Sequence, residues 1–292
     1  MATLRDIKLR IIGVKSTQKI TKAMKMVAAA KLRRATESIL NARPYSKKIS
    51  TLLSHLVTEE DRSLNPLFFQ REVKNVAIVV VTADRGLCGA FNTNIIKEAI
   101  RYIEEEVNNS NKNYSLYCLG KKGSDYFSKR NYNIGHTFPG IFSQLNYAVA
   151  QNLVNELIAK YSDGTIDKVI LIFNEFKSII QQKIVVEQFL PIEAPEKEKS
   201  DKYETENYIL EPDQKSIFNY LMPKHLKAQM WRVLLESNAS EFAARMTAMD
   251  NATTNAKELI RTLSLTYNSK RQAAITTEIL EIVSGANALK ES

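Results

Sequence analysis

Proline and glycine are scarce in this chain, and near its C-terminal end both are missing for a long stretch. The 292 residues hold seven prolines and nine glycines, and neither occurs across the 61 residues from Lys224 to Ser284. In a helix interior proline costs about 3 kcal/mol and glycine about 1 kcal/mol relative to alanine, so a span that excludes both predicts one continuous helix. At about 1.5 Å per residue that helix would reach roughly 90 Å, far beyond an ordinary domain. It needs a partner helix, a surrounding complex, or both. Cysteine is nearly absent as well. Only Cys88 and Cys118 occur, which excludes a disulfide scaffold and fits a reducing compartment. Sequons such as Asn108-Asn109-Ser110 then read as chance. No run approaches the roughly 18 uncharged apolar residues of a membrane span. The N-terminus shows no apolar signal core, and helical patterning from about residue 3 leaves no room for a targeting peptide. His55, His136 and His225 lie far apart with no HExxH or CxxC spacing, so no zinc site is expected.

What is present at the other end matches the long helix. Residues 1–43 hold no proline and one glycine, Gly13. There Leu4, Ile7, Ile11, Val14, Gln18, Thr21, Lys25, Ala28, Leu32, Ala35, Ile39 and Ala42 alternate spacings of three and four. Phe242, Met246, Met249, Thr253, Ala256, Ile260, Leu263 and Tyr267 do the same near the C-terminus. That alternation is the seam of a left-handed coiled coil. After Tyr267 the register meets Lys270, Thr277 and Glu281, while Ile275, Ile279, Ile282, Ala286 and Leu289 form another stripe. The expectation is a seam that rotates near Lys270 and Arg271. Ile20, Met24, Met26 and Val27 are apolar but lie off the N-terminal seam, so they are expected to face outward.

Charge is unevenly placed. Residues 1–50 carry 13 Lys or Arg against Asp6 and Glu37, a net of +11, whereas the whole chain is +9. A basic helix suits nucleic acid, an anionic membrane or an acidic protein surface. No Phe, Tyr or Trp precedes Tyr45, which weakens a nucleic-acid reading because no base-stacking side chain is interleaved. A basic coiled coil that binds nucleic acid stays as the alternative. Membrane-surface binding is weakened because a partner helix already accounts for the narrow seam. An acidic protein partner fits best.

Between the helices the pattern changes. Val76–Thr82 is an apolar, β-branched run that predicts a buried parallel strand. Further strands are expected at Tyr114–Leu119, Val169–Phe173 and Ile184–Leu190, with helices at about 92–108, after Gly123 and over 143–161. Alternating strand and helix predicts an α/β unit with a mainly parallel sheet. Residues 191–206 are charged and proline-bearing, and read as a loop. Gly86-Leu87-Cys88-Gly89 lacks the three-glycine dinucleotide fingerprint, and Gly120-Lys121-Lys122-Gly123-Ser124 lacks Walker A spacing. Both read as tight turns at strand ends. Cys88 with a distant histidine is a formal nucleophile pair, but a buried thiol at a strand–helix turn fits better. A nucleotide-using enzyme on the α/β unit is the remaining alternative. No catalytic, cofactor or metal residues are assigned.

Five motifs stand in order along the chain: TQKITKAMKMVAAAKLRRA at 17–35, RPY at 43–45, DRGLCGAFN at 84–92, FAARMTAMDNATTNAKELI at 242–260 and YNSKRQAAITTEILEIVSGANAL at 267–289. Together they resemble the γ subunits of bacterial F-type, proton-translocating ATP synthases, with looser agreement at 143–165 and 191–206. The resemblance implies a long antiparallel coiled coil of the terminal helices (1–57 and 211–292) plus a central Rossmann-like α/β domain (70–210). It implies a rotor shaft without its own catalytic site or cofactor. Its partners would be three α and three β subunits, the ε subunit and the membrane c ring. The resemblance also implies peripheral placement on the cytoplasmic face of the bacterial membrane, through the complex alone. Contacts with β would fall at Ile20, Lys22, Met24, Lys25, Val27, Arg271, Gln272 and Thr276, and contacts with the c ring at Tyr208 and Glu211.

Overall fold

The computed structural model describes residues 3–56, 65–68, 71–143, 145–179, 181–192, 211 and 213–290. Two helices dominate: α1 (Leu4–Leu56, 53 residues) and a C-terminal helix of 77 residues, Gln214–Lys290. Between them run β1 (Asn75–Val81), α2 (Phe91–Tyr102), β2 (Asn113–Leu119), α3 (Lys121–Ser128), β3 (Ile134–Phe138), α4 (Tyr147–Ser162), β4 (Lys168–Phe176) and β5 (Gln182–Leu190). The C-terminal helix is α5. Two compact units result, Met1–Ala28 with Met246–Ser292, and Ala29–Arg245. Both long helices contribute to each unit.

The unit Ala29–Arg245 is built on a five-stranded sheet in the order β3-β2-β1-β4-β5. The first four strands pair in parallel, and β5 closes the sheet antiparallel to β4. Alternate residues of the central strands go to opposite faces, as the period of two requires. Ala77, Val79, Val81, Tyr117, Leu119, Leu171 and Phe173 meet α4 and the residue 49–53 and 218–234 stretches of α1 and α5. Val76, Ile78, Val80, Leu116, Cys118, Ile170 and Ile172 meet α2 and Phe127 of α3. A strand covered on both faces must be apolar throughout, which is why VAIVVV carries no alternation.

The expected strands and helices are all present, with shifted ends. The helix expected over 143–161 starts at Tyr147, where the Asn146 side chain accepts from Ala148 N at 3.0 Å and caps it. The stretch after Tyr102 continues as a π-helical turn, Ile103–Asn108. Strand β3 has no counterpart among the expected strands. It is a short edge strand whose Gly135 and His136 are exposed, so it lacks an apolar run. Pro44 and Pro223 lie inside helices. The chain continues through both because buried Ile39, Ile49 and Leu53 flank the first and Phe218, Met222 and Leu226 the second. Tertiary packing there outweighs the lost backbone bond. The loop expected at 191–206 lies outside the described residues beyond Ile192.

Candidate functional site

A Thr3–Asp6 capping box starts α1: Asp6 N donates to Thr3 Oγ1, and Thr3 N to the Asp6 carboxylate at 2.9 Å. Within the unit of residues 1–28 and 246–292, α1 and α5 pair antiparallel. Thr21 Oγ1 lies 2.7 Å from Thr253 Oγ1, and Lys25 Nζ lies 2.6 Å from Asp250 Oδ1. Every seam position from Leu4 to Ala28 is buried or half-buried, with Ile7, Thr21 and Ala28 deepest. On α5 the buried seam residues are Met249 and Ala256. Each hydroxyl also reaches a carbonyl of its own helix, Gln18 O and Met249 O, so the pair marks the alignment of the helices more than it adds stability.

The outer surface of this pair is both basic and apolar. Arg5, Lys8, Arg10, Lys15, Lys19 and Lys22 are exposed. Leu9, Ile12, Ile20 and Val27 are also exposed, Ile20 at 60%. On a helical period they fall on the face of α1 opposite Ile7 and Thr21. The helix is therefore apolar on two opposite sides, one covered by α5 and one left open.

Of the residues singled out from the sequence, Ile20, Lys22, Met26 and Val27 face outward as expected. Met24 differs: it is half-buried, because its position lies three residues from Thr21 and four from Ala28, both buried in the seam. Lys25 is held by Asp250. Arg271, Gln272 and Thr276 are exposed, and Thr276 Oγ1 donates to Gln272 O at 3.0 Å within its own helix. The structure does not gather the two groups at one place, since 18 residues of α5 separate Thr253 from Arg271, roughly 27 Å. Glu211 is exposed, and Tyr208 lies outside the described residues.

A second expectation is overturned. The stripe beyond Lys270 is no continuation of the seam, because Ile275, Ile279 and Ile282 are 47%, 55% and 66% exposed and Ala286 is exposed too. The side chain of Leu289 lies outside those described. The reason is register: the alignment that sets Thr21 against Thr253 brings the start of α1, Leu4, level with Lys270, so α5 has no helix opposite it from there on. Leu265, Leu280 and Val283 are likewise exposed. Their sequence signal is an apolar residue that lies off the seam.

The strand ends of the α/β unit show how the DRGLCGAFN segment is used. The Asp84 carboxylate accepts from the backbone N–H groups of Lys121 (3.0 Å), Gly140 (2.7 Å) and Phe142 (2.9 Å). Lys121 N belongs to the first turn of α3, so Asp84 takes a donor that a bound phosphate would otherwise use. Gly120 has φ +93, and a Cβ there would stand 2.0 Å from the Thr82 carbonyl oxygen. These glycines serve close packing of strand against turn. Arg245 of α5 donates to Gly86 O and to the buried Glu241 carboxylate, both at 2.5 Å. Burial pushes the Glu241 carboxyl up, and the guanidinium opposes it. Cys88 and Cys118 are buried free thiols whose pKa values burial raises, that of Cys118 to about 12.

Comparison with known proteins agrees with this arrangement. A family model described as ATP synthase matches residues 3–289. An ATP synthase gamma chain from Chloroherpeton thalassium is 52% identical over 303 residues, covering 100% of both chains. One from Chlorobium phaeobacteroides is 52% identical over 293 residues, covering 99% of this chain and 100% of the relative. Among solved structures, the central stalk and c-ring of Tetrahymena thermophila mitochondrial ATP synthase contains a similar chain. It has a TM-score of 0.62 and 28% identity, and covers 80% of this chain and 99% of that one. A chain of the Euglena gracilis mitochondrial enzyme shares the fold, at a TM-score of 0.70 and 22% identity over 98% of this chain and 94% of that one.

Proposed function

Since the chain belongs to the ATP synthase γ-chain family, we propose that it is the central rotor shaft of a bacterial proton-translocating ATP synthase and has no catalytic site of its own. The observation that carries this reading is the surface of the paired helices, where basic residues and a second apolar stripe stand uncovered on α1. A helix pair left with such a surface suits a sleeve of other subunits. In this reading three α and three β subunits form the sleeve, and ε and the c ring engage the other end of the subunit. Ile20, Lys22, Met24, Lys25 and Val27 meet β at one level, Arg271, Gln272 and Thr276 meet it at another, and Tyr208 and Glu211 face the c ring. Proton flow turns the ring and the shaft, and the asymmetric shaft surface drives each β subunit through its conformations. No helix among the described residues is long and apolar enough to cross a membrane, so attachment at the cytoplasmic face is peripheral and runs through the complex.

The test is a reversible tether. With Ile20 replaced by cysteine and joined by a disulfide to a cysteine on β, ATP hydrolysis by the purified complex is expected to stop, and reductant should restore it. Full turnover by the tethered complex would sink the rotor reading.

A further inference from the structure

The unit Ala29–Arg245 carries an open cavity of about 550 Å³, walled by Asn41 and Tyr45 of α1, Tyr147 of α4, and Ala228, Trp231 and Leu235 of α5. The rings of Tyr147 and Trp231 meet edge to face at 5.8 Å. Trp231 is the chain's only tryptophan, and it is only partly buried against the core. Tyr45 is 54% exposed. Ala228, small and buried, lines the cavity beside these rings. None of the lining residues is charged.

The rim is cationic. Lys224 lies one turn before Ala228 on the same face of α5, and it acts electrostatically on both Tyr45 and Tyr147. Its ammonium sits over the ring of Tyr220, 4.0 Å from the centroid, donating to the phenol oxygen at 2.6 Å. No carboxylate pairs with Lys224 among the described residues. On α1, exposed Arg34 and Lys48 continue the Asn41–Tyr45 face by a turn or two in each direction.

We propose that this groove docks an acidic segment of a partner polypeptide, which lays one branched or aromatic apolar side chain against the rings of Tyr45, Tyr147 and Trp231 and sets carboxylates against Lys224 and Lys48. Charge complementarity selects the partner's sign, because Lys224, Arg34 and Lys48 stand at the ends against one acid, Glu37, itself paired with Arg33 at 3.3 Å, and no acid lines the groove. Tryptophan and tyrosine are the groups that carry most binding energy in protein interfaces. The proposal rests on the reading of the chain as one subunit of a larger complex.

The test compares the isolated full chain with the purified complex. Trp231 is oxidised with N-bromosuccinimide and Tyr45 nitrated with tetranitromethane, and both are followed by peptide mass spectrometry. Both are expected to react in the isolated chain and to react at least about tenfold more slowly in the complex. Lys224→Glu should partly abolish that protection. A photo-crosslinker at position 45 should link, in the complex, to an acidic peptide bearing an apolar residue. Equal labelling in the two forms would overturn the proposal, as would crosslinks to a second copy of this chain, to lipid or to a basic segment. A chain that joins no ATP-hydrolysing complex at all would overturn the rotor reading first, and this proposal with it.

Discussion

In the unit Ala29–Arg245 the central strands are covered from both faces, and side chains as large as Tyr117, Phe127, Phe173 and Phe189 are fully buried. In the unit of residues 1–28 and 246–292 the buried set is Ile7, Thr21, Ala28, Met249 and Ala256, while larger apolar side chains such as Ile20, Val27, Leu265 and Ile282 stay exposed. The first buries a core of its own and leaves only local openings such as the groove at Tyr147 and Trp231. The second holds a register and leaves the rest of its surface open. One chain thus combines a body with a core of its own and a helix pair whose outer surface calls for other molecules.

The comparison breaks most visibly at Phe173. Replacing this buried ring by alanine should destabilise the chain by about 3–5 kcal/mol, read as a lower urea midpoint. Ile20→Ala should change it by no more than about 0.5 kcal/mol, because an exposed side chain leaves no cavity. Equal losses at the two positions would erase the distinction drawn here.

The sequence made this distinction readable unevenly. The continuous apolar run Val76–Val81 announced a strand buried on both faces, and the unbroken spacing from Leu4 to Ala42 announced the seam. What it could not announce was where the pairing stops. Ile275, Ile279 and Ile282 have helical spacing whether or not a partner lies opposite, and only the register set by Thr21 and Thr253 shows that α1 has run out. Strand β3 escaped because an edge strand needs only one apolar face. The groove at Tyr147 and Trp231 escaped because its walls come from three helices far apart in the chain, so no local pattern joins them.

Charge along α1, which runs through both units, gives the next test. Reversing Lys22, Lys31, Arg33 and Arg34 to glutamate is expected to cut assembly or turnover of the complex about tenfold at low salt, since exposed charges steer association. The loss should shrink as salt rises. The urea midpoint of the isolated chain should barely move. Wild-type assembly and turnover at low salt would remove the acidic-partner argument.

A pH series sharpens the picture of the body. Burial lowers the pKa of His225 to about 4 from 6.5, with Arg232 adding to the effect and Glu187 opposing it. The folded chain therefore binds the proton less readily than the unfolded one, so this residue costs nothing above about pH 6.5 and destabilises as pH falls toward 4. Burial raises the carboxyls of Glu236 and Glu241, which act in the opposite sense. His225→Gln isolates the histidine: between about pH 7.5 and pH 5 its urea midpoint should fall less than that of the wild type. An identical fall would show that His225 is not held neutral.

The smallest effect expected is none at all. Because Cys88 and Cys118 are buried with raised pKa values, an aromatic disulfide reagent should leave both untouched until the chain is unfolded. Reductant or mild oxidant should leave turnover of the complex unchanged. A reversible, several-fold response that disappears in the Cys88→Ser, Cys118→Ser double variant would reveal a thiol switch.

Amide hydrogen exchange on the isolated chain and on the assembled complex tests the contrast between the units most directly. Amides of β1, β2 and β4 should be strongly protected in both. Those of residues 4–28 and 246–290 should exchange readily in the isolated chain and at least about tenfold more slowly in the complex, because only there is the outer surface of the pair covered. Strong protection of the paired helices in the isolated chain, with no further gain on assembly, would contradict the account.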